Sequence, residues 1–373
     1  MGSEMRFLFW VCAALVGYTY FGYPLVLYLR TLWRICPPQF AAIFPKISII
    51  ICIYNEGPAI REKLHNIAQL HYPRSRREVI VVSDGSTDDT GAVLTREKAL
   101  VNKILVLPEH KGKACALNQA IAAATGEILV FTDARQTIEP DAVRMLVANF
   151  ADPTVGCVSG DLALRPCSGR TKGFGLYWTV EKCIRRWEAS VGSCVGVTGS
   201  LYAVRKSMIG PLPPETILDD VYVPFQVARA GGRIVFESRA RAWDSLSPRI
   251  RSEFRRKVRT LTGNYQLLRL APWIITTRNS LRFAFVSHKL ARLLVPFAMA
   301  GALVSSALMQ TRFFEAMLAL QIAFYMLPLL SIWQAAPRVL IGVANAVIAF
   351  LVLNCAATVA FGNFVRGKAP AWR

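Results

Sequence analysis

Ile47-Ser48-Ile49-Ile50-Ile51-Cys52-Ile53-Tyr54-Asn55-Glu56-Gly57 decides the fold, through the change of character after Ile53. A run this apolar, with almost no polar alternation, predicts a strand buried on both faces, the pattern of parallel sheets covered by helices. A polar turn follows it. Residues 79–82, 104–107 and 128–131 repeat the short β-branched run, and helix-like segments at 58–70 and 113–124 lie between them. Strand, helix, strand predicts an α/β domain with a Rossmann-like, mostly parallel sheet over residues 45–245. Ligands of such sheets bind beyond the carboxyl ends of the strands. Polar motifs stand at those ends: Tyr54-Asn55-Glu56, Ser83-Asp84-Gly85-Ser86 and Thr132-Asp133-Ala134-Arg135, with Leu218-Asp219-Asp220 further on.

A dinucleotide fold would need a G-x-G-x-x-G turn after the first strand, and that fingerprint is absent from this position. A tyrosine that can stack on a base, beside a carboxylate that can accept from its ring nitrogen, suits a nucleoside; by themselves Tyr54 and Glu56 read equally as a solvated turn. Asp84 is a candidate acceptor for a ribose or base, while Thr87 and Asp88 are expected to cap the next helix. Lys111 and Lys113 open a helical segment, where an ammonium adds to the backbone donors that attract phosphate.

Apolar stretches of membrane length flank this domain. Residues 7–29 carry no charge and would reach about 35 Å as a helix, against roughly 30 Å of hydrocarbon. The run is longer than the apolar core of a secretory signal and no small-residue cleavage site follows, so an anchor over residues 1–34 is expected. Three more spans are expected within 289–365, near 293–309, 316–336 and Val339–Val365, separated by Arg312, Glu315 and Arg338. Arg30, Arg34 and Lys46 after the first span place the middle of the chain on the cytoplasmic side of a bacterial-type inner membrane. Four spans then put the C-terminus outside, where Arg366, Lys368 and Arg373 oppose the positive-inside tendency.

The formal charge of +20 comes with no zinc-finger spacing and no aromatic RNA-binding signature, so anionic lipid headgroups, not nucleic acid, are the expected partner. The nine cysteines form no paired CxxC sets, and neither a disulfide framework nor a zinc cluster is expected. Between Ile250 and Leu268, apolar residues recur every three or four positions (Ile250, Phe254, Val258, Leu261, Tyr265, Leu268) with Arg251, Arg255 and Lys257 between them. That pattern predicts an amphipathic helix at the membrane surface within residues 246–285, interrupted at Gly263-Asn264.

The order YNE (54–56), DGS (84–86), GKAxALN (112–118), TDA (132–134), TGS (198–200) and LDD (218–220) resembles the family 2 glycosyltransferases, in particular the membrane-embedded cellulose, hyaluronan and poly-N-acetylglucosamine synthases. The resemblance implies a GT-A fold, a nucleotide-diphosphate sugar donor, usually a UDP sugar with glucose or N-acetylglucosamine first, and inversion at the anomeric carbon. It implies that Asp220, with Asp219 as second candidate, is the base that removes the acceptor proton, and that Thr198, Gly199 and Ser200 face the acceptor. Donor contacts would come from Tyr54, Glu56, Asp84, Lys113, Asp133, Arg135, Arg256 and Arg259. Neighbouring like charges can also raise the pKa of one member of an acid pair.

Two departures from the family pattern bear on chemistry. The metal motif DxD stands here as Asp133-Ala134-Arg135, so either Asp133 alone holds Mg2+ or Mn2+ together with phosphates and waters, or Arg135 supplies charge in place of a metal; the retained metal is favoured. The processive motif Q/R-x-x-R-W stands as Arg256-Lys257-Val258-Arg259-Thr260, without the tryptophan that carries the acceptor sugar. Transfer of one sugar to a lipid-linked acceptor therefore competes with growth of a polysaccharide, and Trp178 and Trp187 are substitutes only if they are not packing residues. A homo-oligomer or a secretion partner is compatible with either. A transporter or a nucleotide sensor without catalysis is the remaining class, and the scarcity of ionisable residues in the spans argues against it.

Overall fold

The computed structural model describes residues 2–165, 172–245, 250–331 and 337–367. One eight-stranded sheet organises the central part, in the order β3-β2-β1-β4-β7-β6-β8-β5. Its strands are β1 (Ile47–Ile53), β2 (Arg77–Asp84), β3 (Lys103–Leu107), β4 (Ile128–Thr132), β5 (Thr137–Ile138), β6 (Val155–Arg165), β7 (Leu201–Arg205) and β8 (Arg233–Ser245). The first four pair in parallel, as the strand-helix-strand order requires. Beyond β4 the sheet is mixed, because β7 runs antiparallel to both β4 and β6 while β8 pairs in parallel with β6. This is the GT-A arrangement.

All seven residues of β1 are buried, and its two faces feed two different cores. Ile50 and Cys52 pack with Ile80, Val82, Phe131 and the helix Lys113–Ala123. Ile47, Ile49, Ile51 and Ile53 pack with Val79, Val81 and the helix Gly57–Ala68. Each fully buried Ile contributes roughly 1.5–3 kcal/mol of burial. Ile53 aligns with Ser83 and Ile50 with Phe131, so the carboxyl ends of β1, β2 and β4 finish on one side of the sheet. The acidic motifs converge because of this register.

Four helices are long and apolar enough to cross a membrane: Gly2–Trp33, Arg282–Leu308, Arg312–Leu330 and Val339–Val365. Phe7, Leu320 and Val339 leave 73%, 63% and 77% of their surface uncovered, as side chains facing lipid tails do. The chain is a membrane protein. The expected span at 316–336 corresponds to Arg312–Leu330; residues 332–336, like Lys368 and Arg373, lie outside the described residues.

The amphipathic segment forms one helix, Ile250–Leu270, without the break expected at Gly263-Asn264. Gly263 is there for a close approach. A Cβ at this position would lie 2.5 Å from Cγ of Leu218 and 3.1 Å from Cγ2 of Ile217, so the helix backbone passes directly behind the Leu218-Asp219-Asp220 turn. Gln266 adds two bonds, accepting from Ile217 N at 3.0 Å and donating to Glu215 O at 2.7 Å. Gly263→Val should therefore overpack the turn at a cost of about 1–3 kcal/mol, read as a lower thermal midpoint together with reduced turnover. A midpoint equal to that of the parent would remove this packing argument.

Candidate active site

Lys113 is the hub of the site. It is the first residue of Lys113–Ala123, and its Nζ lies 3.2 Å from Oδ1 of Asp133, at the end of β4, and 3.4 Å from Oδ2 of Asp219. A small cleft beside it is lined by Cys52, Thr132, Asp133, Gly199 and Asp219. Burial opposes charge on Lys113, but Asp133, Asp219 and Asp220 outweigh it and raise its proton affinity. The pKa of Asp133, a partly exposed side chain, is lowered from its ordinary value against partial desolvation, first by Lys113 and then by Arg135 and Lys63.

Asp219 and Asp220 open the helix Asp219–Arg229, where backbone donors favour negative charge. Asp220 is nevertheless pushed up to about 6, first by burial and then by Asp219, with Lys113, Arg185 and Lys289 pulling the other way. A carboxylate poised there can take a proton near neutral pH. The Thr198-Gly199-Ser200 loop lies against it: Val197 N donates to Asp220 O at 2.9 Å, and a Cβ on Gly199 would sit 3.2 Å from Asp220 Oδ2.

Asp84 is fully buried and its carboxylate is committed to its own chain. It accepts from Lys111 N at 2.9 Å and Gly112 N at 2.7 Å, and His110 Nδ1 lies 2.9 Å away. Asp84 thus shapes the loop that presents Lys113. Tyr54 stacks on His110 with centroids 3.9 Å apart and 25° between planes, so one face of the tyrosine ring is covered by the imidazole. Thr87 turns to Asn55, and the Asp88 carboxylate accepts from Thr90 N at the start of the following helix. Burial raises the proton affinity of Glu56, with Arg135 opposing.

Arg135 lies 3.8 Å from Asp244, and Gln136 donates to the same carboxylate at 2.8 Å. Arg256 pairs with Glu253 on its own helix at 3.7 Å. Among the described residues neither Arg256 nor Arg259 forms an ion pair with the acidic cluster. Trp187 packs with Tyr23 and Leu27, and Trp178 packs on the last membrane helix with Lys257 Nζ 4.8 Å above its ring, so both serve packing.

One residue of the site went unread in the sequence. Lys63 is 1% exposed and donates to Thr132 Oγ1 and to Gln136 O, both at 2.7 Å, bracing the Asp133 turn from beneath. Burial pushes it down to about 7, against the pull of Asp133. The signal was present: Lys63 occupies the apolar stripe Ile60, Leu64, Ile67, where a lysine needs a buried partner.

Residues 48–209 match the family described as Glycosyl transferase family 2. The chain carries a family 2 glycosyltransferase domain. Poly-beta-1,6-N-acetyl-D-glucosamine synthase of Staphylococcus aureus is 28% identical over 232 residues, which cover 60% of this chain and 55% of that one. The protein of the same name from Staphylococcus epidermidis is 27% identical over the same shares. The chain spans about half the length of the curated relatives it matches. A mannosyltransferase from Pyrobaculum calidifontis, solved with GDP-Man and Mn2+, superimposes with a TM-score of 0.72 at 24% identity, covering 97% of this chain and 99% of that chain. That likeness supports the GT-A fold.

Proposed function

We propose that this glycosyltransferase domain transfers a hexose, with inversion, from a nucleoside diphosphate sugar to a glycan acceptor at the cytoplasmic face of the membrane. The observation that carries the reading is the Lys113 hub, which joins Asp133, directly after β4, to Asp219 of the Asp219-Asp220 pair in one cleft. Direct displacement needs a base at the acceptor hydroxyl and positive charge at the departing diphosphate. Asp220 meets the first requirement and Lys113, at a helix start, meets part of the second. Tyr54 and His110 offer stacked rings for the base, and Glu56 offers a carboxylate for its ring nitrogen. Asp219 holds Lys113 in register.

The cleft fits a divalent cation that is held mainly by phosphate. Asp133 has 37% of its side chain exposed and only Oδ1 engaged, leaving Oδ2 as an oxygen ligand of the type Mg2+ and Mn2+ prefer. Among the described residues no group of three or more His, Cys, Asp or Glu could form a protein-only cage. When bound, such an ion would neutralise charge on the diphosphate. Turnover should fall at least about 100-fold after exhaustive chelation and return with Mn2+ or Mg2+; full turnover in chelator would assign that charge to Lys113 and Arg135 alone.

The similarity to poly-N-acetylglucosamine synthases favours UDP-N-acetylglucosamine and a growing polysaccharide. Thr260 favours the second reading, transfer of a single sugar to a lipid-linked acceptor, because its hydroxyl bonds back to Arg256 O at 3.1 Å and no aromatic ring stands at that position. Purified protein in lipid, offered UDP-N-acetylglucosamine, UDP-glucose and GDP-mannose in turn, should release nucleotide with one of them. Product mass then separates one added sugar from a ladder. Release with none of the three would overturn the donor assignment.

A further inference from the structure

Below the acceptor loop, at the seam with the membrane helices, lies a group of buried charges that the chemistry above does not use. Glu181 and Glu188 lie about two turns apart on the helix Lys172–Val191 and are 3% and 2% exposed. His288, 1% exposed, places one ring nitrogen 3.2 Å from Glu181 and the other 2.8 Å from Glu188. Lys289 and Arg292 complete the surroundings of Glu181, at 2.9 and 2.7 Å. Tyr23 of the first membrane helix donates to Glu188 at 2.7 Å. Burial alone would push Glu181 up, but Lys289, His288 and Arg292 hold it well below the carboxylate range.

Burying so many charges is expensive, and a second, independent feature marks the same spot. The two membrane helices that meet there each carry a π-helical turn, Tyr18–Gly22 and Val286–Leu290, joined by a 2.7 Å hydrogen bond between Tyr18 and Ser287. Such turns are rare and gather at functional places. From the cluster two links run to the catalytic loop. Arg185, whose Nε lies 3.8 Å from Glu181, donates through Nη1 to Thr198 Oγ1 at 2.6 Å. Glu188 accepts from Val195 N at 3.2 Å, in the strand of chain that leads to Val197 and its bond to Asp220 O.

We propose that Arg185 is a positioning residue for Asp220, and that the buried Glu181–His288–Glu188 cluster, formed only where the first two membrane helices dock, holds Arg185 in place. Seating of those helices thereby sets the acceptor loop, so the base is in position only when the domain is seated against its membrane region. The inference rests on the glycosyltransferase reading of the cleft. It concerns position and field, not proton transfer: Arg185 touches Thr198, not the reacting atoms. The charged groups acting on Asp220 are Asp219, Lys113, Arg185 and Lys289, so loss of the Arg185 charge must be felt at the base.

The test uses the full chain in lipid, with Arg185→Met and Arg185→Lys beside the parent protein and nucleotide release as the readout. Arg185→Met should lower kcat about 30- to 100-fold while the KM for donor changes less than about twofold, because the donor side of the cleft is untouched. It should also move the acidic limb of the kcat profile to higher pH, since a cation that favours ionised Asp220 has gone. Arg185→Lys keeps the charge but not the reach to Thr198, so kcat should fall with the limb unmoved. A merely structural role would lower kcat in both variants and leave both limbs where they were. Parental kcat in Arg185→Lys overturns the inference even if Arg185→Met does not fold. No turnover in the parent protein with any donor would instead sink the reading of the cleft itself.

Discussion

Asp220→Asn should reduce kcat by at least about 10³-fold while donor affinity stays within about twofold, because the substitution removes a base and keeps the shape of the pocket. The protein should at the same time be no less stable, and that pairing gives the test its force. Burial and Asp219 raise Asp220 to about 6. A carboxyl whose folded value lies above its unfolded value destabilises the fold when ionised, so at neutral pH the neutral amide relieves that cost and the thermal midpoint should hold or rise. Asp219→Asn should behave differently. It removes the partner of Lys113 at 3.4 Å and one source of the raised value of Asp220, so the acidic limb of the parent profile, expected near 6, should move down in pH. Donor titration followed by nucleotide release across pH 5–9 reads all three effects. Parental kcat in Asp220→Asn would transfer the base role to Asp219, and a limb that stays put in Asp219→Asn would mean the two acids do not sense each other.

Local chemistry wrote much of this fold visibly into the chain. Ile47–Ile53 has no polar alternation beyond Ser48, so its burial on both faces and its parallel neighbours follow from composition. The motifs at Tyr54, Asp84 and Asp133 could be placed along one edge because a parallel sheet sends its carboxyl ends there, whereas Asp219, which opens a helix, was joined to them only through the family resemblance. Three things were not legible. The antiparallel β7 arises from tertiary pairing with β4 and β6, for which no local pattern codes. The commitment of Asp84 to backbone donors of residues 111 and 112 depends on a loop closing across 27 and 28 residues of chain. The ion cluster around Glu181 unites residues separated by more than 100 positions, and in the linear chain Glu181, Arg185 and Glu188 look like any solvated helix face. Gly263 was misread for a related reason: a glycine within a helical stripe signals a break or a close approach, and only the neighbour, Leu218, decides which.

Lys113→Met should be as damaging as loss of the base, with a different kinetic signature. Among the described residues the ammonium is the one cation within 3.5 Å of both Asp133 and Asp219, and removing it leaves the buried carboxylate of Asp219 uncompensated. Two consequences compete. Asp133 and Asp219 must share the cleft without a counter-charge, and a donor diphosphate loses the ammonium that meets it. Both weaken donor binding, so kcat/KM should fall about 10²- to 10³-fold, much of it in KM. Divalent ions offer a way to separate the causes. If Lys113 chiefly neutralises Asp133, raising Mn2+ from micromolar to millimolar should restore a substantial part of kcat/KM in Lys113→Met, because the ion then meets the same carboxylate. If Lys113 chiefly meets the diphosphate, Mn2+ should leave the deficit unchanged and Lys113→Arg should recover more activity than added ion does. A Lys113→Met protein with parental kcat/KM at low Mn2+ would remove the hub from the mechanism, and with it the reason for placing the donor diphosphate between β4 and the Asp219-Asp220 turn.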